Sequence, residues 1–340
     1  MKVLVTGGAG YIGSHTVVEL LDRGHDVHVV DSFRNSDRSV IDRIARLAGK
    51  PVPFSELDVL DSSKLTRTLM ETRPDAVIHF AALKSVGESI SMPLDYYRVN
   101  VEGTISLLSA MEDAGCNRLV FSSSATIYGE PEKCPVPETA PLRPPTPYGR
   151  TKLASEWVIR DCVEAPNSKL SAILLRYFNP VGAHPSGMIG ELPRGLPNNL
   201  APYIAQTAAG LRSHVRVFGA DYPTPDGTGV RDFIHVVDLA AAHVAALHVL
   251  DGPAGSALAF NLGSGRPYSV LEMIQAFSDV VGSAVPYEIV ERRAGDIVES
   301  WADPSVAEAR LNWRATRSLK EICEDAWRWQ CNLSSGALDG

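Results

Sequence analysis

The sequence predicts a doubly wound α/β fold, a parallel sheet with helices on both faces, with a smaller mixed α/β C-terminal lobe interleaved with it. Two observations predict the sheet. Short apolar runs alternate with helical patterns through the first half of the chain, and a glycine cluster stands between the first run and the first helix. A third predicts the lobe: after about residue 180 the composition turns to Pro, Gly and Asn, then a glycine-rich turn at 226–229, before another apolar run at 233–237. The 340 residues, 45% apolar and 21% charged, are enough for about two domains. Residues 1–178 with about 232–262 are expected to form the first, and about 179–231 with 263–340 the second.

The expected strands are Val3–Val5, Val27–Val30, Val52–Phe54, Ala76–Phe80, Leu119–Ser122 and Ala172–Phe178. Thr6-Gly7-Gly8-Ala9-Gly10-Tyr11-Ile12-Gly13 follows the first and opens a helix to about Gly24. Its glycines keep Cβ atoms away from the N–H groups at the helix N-terminus, where a dinucleotide pyrophosphate can then sit. Gly7, Gly10 and Gly13, with Tyr11 and Ile12 between them, are the candidate contacts. Asp31 closes the second strand at the spacing at which a carboxylate meets the adenosine ribose and repels a 2′-phosphate, which favours NAD over NADP. Asn35 and Ser36 follow it in the loop. Val40, Ile44, Leu47 and Ala48 then make the stripe of a crossover helix.

Ligands of open parallel sheets lie beyond the carboxyl ends of the strands. Asp58 and Val59, then Phe80, Ala81 and Lys84, then Asn100 in a helical stretch, then Ser122 and Ser124, form one rim of candidate residues. Tyr148-Gly149-Arg150-Thr151-Lys152 opens the next helical pattern, continued by Trp157 and Ile159. Tyr148 and Lys152, four apart, share a helix face. For Tyr148 to act as a base near neutrality its pKa must fall by about three units. The Lys152 ammonium and an oxidised nicotinamide are the cations that could lower it, with Ser124 to shuttle the proton.

The remaining features narrow the function by exclusion. With 32 Lys+Arg against 40 Asp+Glu, a net charge of −8 gives no footprint for nucleic acid or an anionic membrane. Five scattered cysteines and nine histidines show no metal-ligand spacing, so no metal is expected, and the cysteines read as the reduced thiols of a cytoplasmic protein. The longest mostly apolar stretch, 239–250, is broken by His243 and His248. His79, inside a strand, reads as a core residue, as do Trp301, Trp313, Trp327 and Trp329.

Across nearly its whole length the chain resembles the extended short-chain dehydrogenase/reductases and, within them, the UDP-glucose 4-epimerase family. The stretches that carry the likeness are Val3–Ser14, Val77–Ser89, Phe121–Gly129, Tyr148–Lys152, Leu174–Gly187, Pro197–Gln206 and Tyr222–Leu239. Related 4,6-dehydratases have Thr-Asp-Glu where this chain has Ser124-Ala125-Thr126. The resemblance implies a Rossmann-type domain that retains NAD, a UDP-hexose substrate, a homodimer, and oxidation of the sugar at C4 to a 4-ketose that turns over and is reduced on its other face. Tyr148, Lys152 and Ser124 carry the catalytic roles it implies. Phe178 and Asn179 border the sugar and nicotinamide, Asn199 and Arg231 reach the diphosphate with Lys84 on the same rim, Phe218 lies by the uracil, and Arg293 with Asp296 meets phosphate and ribose. Ser300 stands where relatives often have Tyr near the sugar 2-position, and room there implies that N-acetylated UDP-hexoses are also accepted. Another UDP-sugar-modifying activity of the superfamily, a dehydratase or decarboxylase, is the alternative.

Overall fold

The computed structural model describes residues 1–193, 195–197, 199–250, 255–293 and 296–338. The strands are β1 (Lys2–Thr6), β2 (Asp26–Asp31), β3 (Phe54–Glu56), β4 (Ala76–His79), β5 (Arg118–Ser124), β6 (Ser171–Tyr177), β7 (Asn179–Val181), β8 (Val215–Phe218), β9 (Val230–His235), β10 (Ala257–Leu262), β11 (Pro267–Ser269), β12 (Tyr287–Val290) and β13 (Glu299–Ser300). The helices are α1 (Tyr11–Asp22), α2 (Ser39–Ala48), α3 (Ser62–Thr72), α4 (Val86–Ser91), α5 (Pro93–Tyr96), α6 (Gly103–Ala114), α7 (Pro147–Glu164), α8 (Leu200–Ala208), α9 (Val236–Val249), α10 (Val270–Val281), α11 (Ser305–Leu311) and α12 (Leu319–Ser334).

Seven parallel strands form the main sheet in the order β10-β6-β5-β4-β1-β2-β3. The chain winds outward from β1 in both directions, so the connections after β1 and β4 leave opposite faces of the sheet and open a crevice between them. One face packs on α1, α2 and α9 through Val17, Leu20, Ile44 and Leu247, and the other on α3 and α6 through Leu65, Leu69, Leu107 and Met111. Burial on both faces explains why the strands read as continuous apolar runs.

The second lobe is built from a four-stranded sheet, β11-β9-β13 with β7 alongside β9, and a two-stranded parallel sheet, β12-β8. Its core of Ile204, Val217, Phe233, Ile274, Phe277 and Ile322 joins α8, α10 and α12. Capping boxes at Ser269/Glu272 and Ser318/Glu321 start α10 and α12.

Four expectations are corrected. The third strand is Phe54–Glu56 rather than 52–54, because Pro53 has no N–H for the ladder and offers β2 only its carbonyl, to Val29 N. The run 233–237 divides at His235, whose Nδ1 accepts from Val237 N and starts α9. The expected boundary at 232 therefore falls inside β9, which pairs in the smaller sheet while α9 packs on the main one. Trp157 continues the α7 pattern in sequence but is 58% exposed, since buried Lys152 and Ile159 face inward a different way around the helix.

Candidate active site

At the glycine turn, Gly7 has φ +69°, and a Cβ there would lie 2.7 Å from Ala81 N. A Cβ on Gly13 would lie 2.2 Å from the Gly7 carbonyl oxygen, so only glycine lets α1 start this close to β1. Gly10 is the N-cap and supplies no side-chain hydrogen bond, which leaves the first N–H groups of α1 available to an anion. Asp31 is anchored facing this turn: its carboxylate accepts from Ala9 N (2.9 Å), Phe33 N (2.9 Å) and Ser36 Oγ (2.8 Å). An uncapped helix end, a turn no Cβ can enter and a fixed acid at the end of β2 fit the pyrophosphate and adenosine ribose of NAD. Asn35 is exposed beside them.

Farther along the rim, Asp58 Oδ1 accepts from Leu60 N, and Val59 is buried against Gly103. Asn100 lies in a single π-helical turn, Tyr97–Glu102, before α6. Its Oδ1 accepts from Leu83 N (2.8 Å), and its Nδ2 donates to Leu83 O (3.1 Å) and Thr151 Oγ1 (2.9 Å). Asn100 thereby ties the segment after β4, with Phe80 and Ala81, to the start of α7. Thr151 Oγ1 in turn donates to Tyr148 O (2.8 Å).

Pro147 at the first position of α7 and the Thr146 hydroxyl, which accepts from Gly149 N (3.3 Å), fix the turn that carries Tyr148. Ser124, at the end of β5, favours ionisation of the nearby Tyr148 phenol. The Ser124 oxygen accepts from Thr126 N (3.2 Å) and Thr126 Oγ1 (2.9 Å). Lys152 is buried beneath, its Nζ donating to Ser122 O (2.7 Å) and lying 5.0 Å from the Phe121 ring centroid.

Burial holds the Tyr148 phenol above its ordinary range, against the Ser124 hydrogen bond that lowers it. Burial also lowers Lys152 to about 7, with Glu156 the charge that favours its protonation. The lysine expected to stabilise a phenolate is thus itself desolvated, and Glu156, the acid that favours its charge, is engaged elsewhere. Glu156 forms a bidentate pair with Arg176 (3.0 and 2.7 Å) and accepts from Ser123 Oγ (2.5 Å). His79 donates to or accepts from Thr6 and Thr104, as expected of a core histidine.

On the lobe side, Phe178 is buried and Asn179 begins β7. Ser300 pairs in register with Arg231 across β13 and β9. Arg231 Nη2 donates to Asp296 Oδ1 (3.0 Å) and Ile297 O (2.8 Å). The Arg293 guanidinium lies 3.6 Å from the Phe218 ring centroid. Lys84 Nζ and Asn199 Nδ2 both donate to Glu191 Oε1, at 2.6 and 2.7 Å. Sequence reasoning missed Glu191, a lone acid in a Pro- and Gly-rich loop. It also missed Tyr177, whose hydroxyl hydrogen-bonds His243 Nε2. His243 Nδ1 is 2.8 Å from Leu239 O, a tautomer that leaves Nε2 to accept from Tyr177.

A dinucleotide-binding parallel sheet whose rim brings together a serine, a tyrosine and a lysine defines the class of short-chain dehydrogenases and reductases. Residues 3–263 match the model of the NAD dependent epimerase/dehydratase family, and the chain belongs to that family. It is 53% identical over 336 residues to the UDP-glucose 4-epimerase of Bacillus subtilis, covering 99% of this chain and 98% of that one. A crystal structure of UDP-glucose-4-epimerase from Stenotrophomonas maltophila with bound NAD and formylated UDP-arabinopyranose has a TM-score of 0.96 at 54% identity, covering 99% of each chain. The Bifidobacterium longum enzyme, solved with NAD+ and UDP, has a TM-score of 0.94 at 45% identity, covering 99% of this chain and 100% of that one.

Proposed function

We propose that this protein interconverts UDP-glucose and UDP-galactose by inverting C4 through a 4-keto sugar, with NAD retained. The observation that carries this reading is that Ser124 at the end of β5, Tyr148 in the first turn of α7 and buried Lys152, which donates to Ser122 O, gather at the edge of the crevice that the glycine turn opens. Bound NAD supplies the hydride acceptor and, once the sugar's other face is presented, the donor. Tyr148, as phenolate, accepts the proton of the 4-hydroxyl as the sugar is oxidised and returns it to the 4-keto oxygen as the sugar is reduced, with Ser124 beside it to pass the proton. A phenolate one helical turn from Lys152 also favours the charged ammonium, so the two groups titrate as a coupled pair. Asp31 would orient the adenosine ribose. Arg231, Arg293, Lys84 and Asn199 would hold the diphosphate and leave the hexose free to turn, with Phe218 by the uracil. Residues 1–178 with about 236–262 act as the cofactor unit, and 179–235 with 263–340 as the UDP-sugar lobe.

The small Ser300 side chain beside Arg231 supports acceptance of UDP-GlcNAc and UDP-GalNAc as well. Ile90, Met92, Leu94, Tyr97, Ile105 and Trp157 are large apolar side chains exposed on α4 to α7, which supports a homodimer formed through these helices. Sedimentation at twice the chain mass is the expected result. Among the described residues no helix is long and apolar enough to cross a membrane. Five free thiols suit the reducing cytoplasm.

Proton NMR of the purified protein with UDP-galactose and no added cofactor tests the reading. The anomeric signal of UDP-glucose is expected to grow in. A dehydrated or decarboxylated product in its place would move the chain to another activity of the family.

A further inference from the structure

Glu191 places a carboxylate where an anionic substrate is expected to be gripped. Its side chain is 9% exposed, and its Oε1 accepts from both Lys84 Nζ (2.6 Å) and Asn199 Nδ2 (2.7 Å). Lys84 follows β4 of the main sheet, and Asn199 caps α8 of the second lobe, so one oxygen ties the two units together. The backbone around Glu191 is itself secured. Trp329 Nε1 of α12 donates to Glu191 O (3.0 Å), and Gly190 lies so close to the Trp329 ring that a Cβ would sit 2.6 Å from it. Tyr11, in the glycine turn, donates its hydroxyl to Gly182 O (2.7 Å) at the head of the same loop, with the Lys84 ammonium 5.9 Å from its ring centroid. The carboxylate is therefore held from both sides of the crevice.

We infer that Glu191 is an internal stand-in for the substrate diphosphate, a latch that occupies Lys84 and Asn199 until a more highly charged anion displaces it. The inference rests on the UDP-sugar reading of the site. Lys84 and Asn199 can donate either to the Glu191 carboxylate or to phosphate oxygens. Charge-assisted hydrogen bonds favour the ligand with more negative charge and more acceptor oxygens. Glu191 thus opposes diphosphate binding twice, by competing for its donors and by repelling it. It sets a threshold that a neutral nucleoside does not meet, since such a ligand neither needs these donors nor feels the repulsion. The same latch limits how tightly a nucleotide product can be retained.

Titration calorimetry of the NAD-loaded protein with UDP and with uridine tests this. In Glu191→Gln, which keeps the size and an acceptor oxygen but removes the charge, the Kd for UDP is expected to fall about tenfold, as one nearby charge in a partly buried site implies. The Kd for uridine is expected to stay unchanged. A UDP affinity that is unchanged or weaker overturns the proposal, as does a uridine affinity that moves in parallel, which would mean a general change in the lobe. Lys84→Met, measured alongside, is expected to make UDP affinity insensitive to most of the Glu191→Gln change, and an undiminished gain in that background also overturns the latch. If the wild-type protein binds no UDP at all, the UDP-sugar reading fails first and this inference with it. Binding without epimerisation would instead leave the latch standing and the reaction assignment refuted.

Discussion

Tyr148 is the residue to which the proposed mechanism gives the proton transfer. Burial raises the pKa of its phenol and Ser124 lowers it, and a positive charge brought by bound cofactor would favour the phenolate further. Tyr148→Phe removes the proton acceptor without opening the glycine turn. It is expected to lower kcat by about 10²–10⁴ while NAD still copurifies, measured by absorbance of the released dinucleotide. The role proposed for Ser300 concerns a different property, the choice of sugar. With Ser300→Tyr, activity on UDP-GlcNAc is expected to collapse while activity on UDP-galactose persists; equal activity on both sugars in the variant would refute the assignment. Tyr148 and Lys152 were legible in the sequence because their four-residue spacing is a local fact. The direction of the tyrosine's shift was not, because it depends on how deeply the lysine is buried and on Glu156 being engaged by Arg176, which is contributed by another strand.

Among the elements, the β1–α1 turn tolerates the least change. In Gly13→Ala the new Cβ would meet the Gly7 carbonyl oxygen at 2.2 Å, and neither backbone segment can yield without moving α1 off β1. The variant is expected to lose NAD during purification and to melt at lower temperature, followed by dinucleotide content and circular dichroism. This element was readable because its glycines answer a steric demand within eight residues. β3 was misplaced by two residues because Pro53 shifts the pairing, and β9 lost its last residues to α9 because an apolar run does not say where strand gives way to helix. The smaller sheet was hardest to read. Its strands β7, β11 and β13 have two or three residues each, too short for a period to appear, and they are ordered only by pairing with β9.

For the whole molecule, pH acts through histidines buried as neutral rings. Burial lowers His15 and His79 to about 3 and His243 to about 4, with the Lys152 charge adding to the effect at His79. An unfolded histidine takes its proton near 6.5, so between about 6.5 and these lower values only the unfolded chain is protonated. Stability is fully present above about pH 6.5 and declines as pH falls through that window. His79→Gln can keep contacts to Thr6 and Thr104 without titrating. Its melting temperature is expected to fall less steeply than that of the wild type between pH 6.5 and 4, by calorimetry in buffers of matched ionic strength; identical slopes would remove His79 from the account.

The central sheet is finished by its latest strand. β10 comes from residues 257–262 yet pairs with β6, and the smaller lobe's first strands are made between them. During synthesis β6 remains a bare edge while residues 178–256 are being added, although all seven of its residues are buried in the finished protein. A ribosome that stalls in that interval would release a chain with an unpaired apolar border, a template for joining a second such chain edge to edge. The nascent protein therefore has a defined span of translation in which cover over β6 favours the completed seven-stranded sheet over an aggregate.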